Sequence, residues 1–259
     1  MAFGGQSQKA VYQCTALVGS NKKGVLKPDA DGYYTLVVGG LNAFNSGGAF
    51  YPLGPAKALF EESGSLMRRI ETGNCKGETG HPKPLPGQSM RDFIGRVLQI
   101  EETRVCCHFR KIWLEHEGIK DASGRPIVGI LAEVKPSGPM GPALKDALDN
   151  PDENVNFSIR SLTNDVMSPA GYVQKNLKTI VTFDWVTEPG LSGSTKYNSP
   201  SLEGLEEQQF SARHLDELET FSKAAGFSME HYAVDFKTLR KDFGWRNPAQ
   251  GSAPASLSW

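Results

Sequence analysis

The segment 187–209 constrains the fold more than any other, because it is rich in glycine, serine and proline and carries no hydrophobic period. That is the composition of a linker, not of a helix or a strand. Runs before it read as strands with two helices among them, and those after it read only as helices. The chain therefore divides into a main domain at 1–190, a linker at 191–209, a helical hairpin appendage at 210–246 and a flexible tail at 247–259. At 259 residues, of which 39% are hydrophobic and 22% charged, there is material for one substantial core and a small addition to it.

In the main domain, 10–18 and 33–41 are rich in β-branched and aromatic residues, with Pro28, Asp31 and Gly32 between them, which predicts two strands joined by a turn. A glycine- and asparagine-rich loop at 41–52 leads into a helix over 55–71, with Pro55 in its first turn and Ala58, Leu59, Leu66, Met67 and Ile70 on its apolar face. Residues 72–87 have no period and read as a loop. Segments 104–117 and 126–134 read as a long hairpin around a turn at 121–124, 140–148 as a short helix, and 155–162 and 176–186 as strands. Alternation of Ile180, Thr182 and Asp184 predicts one buried face on the last of these. Past the linker, Leu215, Leu218, Phe221 and Ala225 form one helical stripe ending at Gly226, and Tyr232, Phe236, Leu239 and Phe243 a second ending at Gly244.

Charge and composition exclude several function classes. The formal net charge is -1 with lysine and arginine scattered, so the basic footprint of a nucleic-acid binder is missing. No run reaches the roughly 20 apolar residues of a membrane span, and 1–8 lacks the charged-then-apolar pattern of a signal peptide. A cytoplasmic protein without nucleic-acid or membrane partners is expected, and self-association into a homo-oligomer is left open. The cysteines at 14, 75, 106 and 107 do not form a disulfide framework, because adjacent Cys106 and Cys107 would point to opposite faces of a strand.

Nucleophilic catalysis by serine needs a base within hydrogen-bond reach and an anion to fix that base's tautomer. Ser158, in the run VNFSIRSL, is a candidate nucleophile, although a strand hydroxyl is more often only a strand residue. Of the five histidines, His214 and His231 fall in the helical part and His116 at an exposed hairpin, which leaves His81 and His108 as candidate bases. His81 stands in GETGHPKP, where Pro82 stiffens the loop behind it, while His108 stands in the strand-like VCCHFRKIWLE. Cys75, His81, Cys106, Cys107 and His108 could in principle ligate zinc, but they lack any paired spacing, so neither metal nor cofactor is expected.

Three separated segments together resemble the prohead core protease family of large tailed phages, related in fold to the herpesvirus assemblins. LNAFNSGGAFYP at 41–52 is similar to the family's Asn-rich segment ending in Tyr-Pro, GETGHP at 77–82 to its Gly-Glu-x-x-His-Pro signature, and FSIR at 157–160 to its nucleophile strand. VTFDWVTEPG further on resembles the segment carrying the acidic residue. The resemblance implies an α+β fold with a mainly antiparallel, β-barrel-like core flanked by helices. It implies a serine endopeptidase with Ser158 as nucleophile, His81 as base and Asp184 as the acid, with Arg160 or the backbone near it at the oxyanion. It also implies phage capsid and scaffold proteins as substrates, cut after glutamate inside the assembling prohead in the infected host cytoplasm. Ser201-Leu202-Glu203 and Gly204-Leu205-Glu206 in the linker fit such a cleavage preference, so self-cleavage after Glu203 or Glu206 is expected to detach the helical hairpin. The stretch from His81 to Ser158 is longer than the resemblance implies. An insertion at 84–102 accounts for that and keeps His108 open as a rival base. The alternative from another class is a non-catalytic capsid or tail component on the same scaffold.

Overall fold

The computed structural model describes residues 10–18, 26–45, 47–61, 64–121, 124–150, 152–187, 208–227 and 231–245, the first of these as backbone alone. Glu203, Glu206 and the tail at 247–259 lie outside the described residues. In chain order the elements are β1 (Ala10–Val18), β2 (Tyr34–Leu41), β3 (Ala43–Phe44), β4 (Phe50–Tyr51), α1 (Leu53–Ala56), α2 (Ser65–Glu71), β5 (Lys76–Glu78) and α3 (Met90–Leu98). They continue with β6 (Val105–Glu115), β7 (Val128–Pro136), α4 (Gly141–Asp149), β8 (Asn156–Met167), β9 (Val173–Val186), β10 (Gln208–Phe210), α5 (Ala212–Ala224) and α6 (Phe236–Phe243).

The strands form two sheets, one in the order β10-β1-β8-β9-β4-β3 and the other β2-β7-β6-β5. Pairing is antiparallel throughout except for the short β4–β9 contact. The fold is thus α+β with antiparallel sheets, but the barrel-like core of the sequence reading does not close: both sheets have edges. Phe109 of one sheet packs edge-on or tilted against Phe157 and Phe183 of the other, with ring centroids 6.1 and 5.7 Å apart, so the layers meet face to face around a shared apolar core. β1 and β2 are not a hairpin. The chain between them is long enough to cross from one sheet to the other, so β1 pairs with β8 and β10 while β2 pairs with β7.

The single helix expected over 55–71 is also divided. α1 runs into a 3-10 turn at Lys57–Phe60, Glu61 and Gly64 are extended, and α2 starts afresh at Ser65. At Gly64 a Cβ would stand 3.0 Å from the Leu59 carbonyl oxygen, so the chain turns back on itself too closely to continue one helix.

A second core decides where the C-terminal helices belong. Phe93, Ile94, Val97 and Leu98 of α3 pack with Leu162 of β8 and Val181 of β9, and with Leu215, Leu218, Phe236 and Leu239 of α5 and α6. Ala233 N–H donates to the Leu98 carbonyl at 2.9 Å, and β10, at the end of the expected linker, pairs with β1. The helices after the linker are therefore part of the body and not an appendage to it. Their stripes already contained the reason: two amphipathic helices alone cannot bury so many large side chains.

The strand pair β8/β9 is buried on both faces. Phe157, Ile159 and Phe183 point into the first core, while Ser158, Arg160, Thr182 and Asp184 line the other face. The pairing slips between Arg160 and Ser161, leaving Val181 as the extra residue of a bulge. That bulge separates Ile180 from the face of Thr182 and Asp184 and turns it into the first core, a correction to the simple alternation read from sequence.

Candidate active site

Polar side chains gather on the second face of β8/β9 because sequence alternation puts them there, and burial obliges them to pair. Ser158 and Asp184 are direct cross-strand partners. Residues so placed project to the same side, with Cβ atoms about 4.5–5.5 Å apart. Both are buried.

The loop that brings His81 is zipped to the end of β9. Thr182 Oγ1 donates to the Lys76 carbonyl at 2.6 Å, Glu78 N–H donates to Asp184 Oδ1 at 3.3 Å, and Gly80 N–H donates to the Trp185 carbonyl at 2.7 Å. Two glycines of the GETGHP run make this approach feasible. A Cβ on Gly77 would lie 2.5 Å from the Phe183 carbonyl oxygen, and Gly80 has a φ of +70°. The result places His81 Nδ1 2.8 Å from Asp184 Oδ2. A carboxylate accepts only, so Nδ1 carries the proton and Nε2 is the nitrogen available for base chemistry.

Behind Asp184 stands Arg160, fully buried. Its Nε and Nη2 donate to Asp184 Oδ2 and Oδ1 at 2.8 and 2.7 Å, and its Nη1 donates to Glu78 Oε1 at 3.2 Å and to the Gln99 carbonyl at 2.9 Å. Glu78, equally buried, also accepts from both terminal nitrogens of Arg96 on α3 and, at 2.8 Å, from Glu101 N–H. Burial by itself pushes the Asp184 carboxyl up, but the Arg160 charge and the His81 hydrogen bond outweigh it and hold the group below its ordinary value. Asp184 is therefore a stable anion at neutral pH. Beside His81 opens a cavity of about 700 Å³ whose wall includes Lys83, Leu85, Arg96, Glu101, Arg104 and Trp185.

A buried Asp–His pair with a serine cross-strand from the Asp brings together residue types that acyl transfer uses, and comparison with known proteins supplies the family. The profile described as the Peptidase S80 family matches residues 12–240. The chain belongs to the Peptidase S80 family. It is 38% identical over 206 residues to the capsid maturation protease of Pseudomonas phage phiKZ, covering 78% of this chain and 74% of that protein. Among solved structures it is similar to the capsid assembly protease of bacteriophage T4, at a TM-score of 0.48 and 12% identity, over 68% of this chain and 98% of that one.

In this S80 peptidase the remaining candidate residues fall as follows. His108 is engaged on the other sheet, its Nδ1 3.0 Å from the Tyr33 hydroxyl and its Nε2 3.1 Å from the Gly73 carbonyl, and burial lowers its pKa. Both ring nitrogens of His108 are thus engaged by partners other than Ser158. Cys75, Cys106 and Cys107 are buried in the first core, where burial raises the Cys75 and Cys107 thiols. Arg160 does not have the setting of an oxyanion donor, because its guanidinium serves two carboxylates and a carbonyl. Residues 84–102, expected as a mere insertion, contain α3 and with it Arg96. A signal for that helix was present: Ser89 caps it by accepting from Asp92 N–H at 3.1 Å, and Met90, Phe93, Ile94, Val97 and Leu98 repeat at helical spacing.

Proposed function

We propose that this chain is a serine endopeptidase in which Ser158 is the nucleophile, His81 the base and Asp184 the residue that orients His81, acting in phage prohead maturation. The observation that carries the reading is the 2.8 Å contact of His81 Nδ1 with Asp184 Oδ2, on a carboxylate whose cross-strand partner is Ser158. Ser158 Oγ attacks the scissile carbonyl carbon and forms the C–O bond while its proton passes to His81 Nε2. The tetrahedral intermediate expels the amine, which takes that proton, and leaves an acyl-enzyme on Ser158. Water, deprotonated by the same nitrogen, then releases the acid and restores the serine. Asp184 stays ionised throughout and stabilises the imidazolium.

Capsid and scaffold proteins are the proposed substrates, and the likeness to the capsid maturation protease of phage phiKZ supports the first of them. Cleavage after glutamate is supported by Lys83 and Arg104 in the wall of the cavity beside His81, since an acidic side chain there would meet positive charge. The same preference makes Glu203 and Glu206 candidate self-cleavage positions. The prohead interior, in the host cytoplasm, is the proposed place of action.

The test is denaturing electrophoresis with intact mass after incubation with capsid or scaffold protein. Wild type and His108→Ala should produce fragments ending in glutamate, whereas Ser158→Ala and His81→Ala should produce none. Activity that survives Ser158→Ala would overturn the assignment, and activity lost only in His108→Ala would move the base to the other sheet.

A further inference from the structure

Asp184, Arg160, Glu78 and Arg96 form a row of alternating charges running from the His81 side of the site to α3. Three of the four are fully buried, and the fourth, Arg96, has a side chain 21% exposed. One guanidinium cannot neutralise two buried carboxylates. Arg160 shared between Asp184 and Glu78 would leave a net negative charge in a place from which water is excluded, and such a charge is strongly unfavourable. Arg96 supplies most of the missing positive charge, donating from Nη1 to Glu78 Oε1 at 3.1 Å and, more closely, from Nη2 to Oε2, while it also pairs with Glu101 at 3.1 Å and Arg104 stands 3.9 Å from Glu78. Because Arg96 is on α3, this balance depends on a helix that the sheets alone do not hold. Gly95, next to it, lies against Leu218 of α5 so closely that a Cβ would stand 3.1 Å from a Leu218 methyl.

We propose that Glu78 and Arg96 are positioning residues: as a compensated pair they hold Arg160 on Asp184, and the charge they present sets the pH at which His81 takes up its proton. This rests on the reading of His81 as the base. The charged groups facing His81 are Asp184 of β9, Arg160 of β8, Glu78 of β5, Arg96 of α3, Arg104 of the 3-10 turn Glu102–Arg104, and Lys83 and Glu101 of the adjoining loops. The Glu78–Arg96 pair can be altered one charge at a time while Asp184 and the two hydrogen bonds it accepts from Arg160 stay as they are. Removing Glu78's charge leaves the site more positive and disfavours imidazolium. Removing that of Arg96 leaves it more negative and favours imidazolium.

The experiment is a histidine ¹⁵N NMR titration of the full chain, with His81 assigned by its disappearance in His81→Ala. Alongside it runs the pH profile for cutting an internally quenched peptide that contains Ser201-Leu202-Glu203. Glu78→Gln should lower the His81 midpoint and the acidic limb of the profile by about half a pH unit or more. Arg96→Gln should raise both, and Arg96→Lys, which keeps the charge, should return both towards wild type. A merely structural role would lower activity without moving the midpoint in opposite directions. If Glu78→Gln fails to fold, the Arg96→Gln and Arg96→Lys comparison still decides. Coincident midpoints in all folded variants overturn the proposal. Midpoints that move as stated in a protein that never cuts the peptide sink the protease reading and leave the charge coupling standing.

Discussion

Replacing Arg160 with methionine keeps a long apolar stem and deletes the guanidinium on which the site is built. Arg160 makes two hydrogen bonds to Asp184, at 2.8 and 2.7 Å, and one each to Glu78 and the Gln99 carbonyl, at 3.2 and 2.9 Å. Removing one partner of a buried ion pair destabilises by about 3–5 kcal/mol. Glu78 keeps Arg96, so the loss falls mainly on Asp184 and stays in that range instead of doubling. Its pH dependence has a definite sign. In wild type the Asp184 carboxyl lies below its ordinary value. Its contribution to stability is therefore present above the unfolded pKa of about 3.9 and is lost only as pH falls through the lowered folded value. Without Arg160, burial dominates and the folded carboxyl rises above the unfolded one. The variant then loses stability as pH increases through that raised value, so the gap between the proteins is widest near neutrality and narrows towards about pH 5. Urea unfolding followed by tryptophan fluorescence at both pH values measures this. A gap below about 1 kcal/mol, typical of exposed pairs, or one that does not change with pH, would refute the account of Asp184 as an anion held by Arg160.

Three further substitutions bear on the scaffold, one of them a control. Leu218, buried where α5 meets α3, should lose about 2–5 kcal/mol as Leu218→Ala, with one unfolding transition seen by all probes. A separate early transition for the C-terminal helices would show that they are an independent unit. Gly77→Ala forces a Cβ to within 2.5 Å of the Phe183 carbonyl oxygen and 2.7 Å of Cys107 Sγ, and should lose about 1–3 kcal/mol together with most activity, since the strand carrying the His81 loop must move. Gly73→Ala is the control: with a φ of +72° and nothing near its Cβ, it should lose about 1–2 kcal/mol and keep its activity. Equal activity in the two variants would mean that close approach at Gly77 does not position the loop.

How much of this was legible in the sequence depends on whether the information was local. The β6/β7 hairpin was readable because its turn residues and flanking strands are contiguous. The strands β8 and β9 were readable from their composition, although the bulge at Val181 breaks the alternation expected on β9. Ser158 and Asp184 fell opposite each other, as two adjacent strands allow. The division into two sheets was not readable, since nothing in 10–18 or 33–41 records which of two similar edges each strand will join. Nor was the role of Arg160: an arginine two residues after a serine looks the same whether its guanidinium faces a substrate or two buried carboxylates. Only the position of Glu78, brought in by a loop, decides between these. α3 has a local signal of its own, the capping Ser89 and the helical repeat from Met90 to Leu98, which the reading of 84–102 as an insertion leaves out of account.

The second core changes what cleavage in the linker would accomplish. Were the C-terminal helices an appendage, a cut after Glu203 or Glu206 would release them. Here they share a core with α3, β8 and β9, and β10 adds a strand to β1. Both proposed positions precede β10, so a nick would leave β10, α5 and α6 as one piece still seated on the body. The apolar surface they cover on Phe93, Ile94, Val97 and Leu98 would otherwise face water, at about 25 cal/mol for each Å² exposed. Loss of those helices would also free α3, and with α3 goes Arg96, the charge that balances Glu78 behind Asp184. Retention of the helices after such a cut would thus preserve the setting of Asp184, whereas their removal would dismantle it.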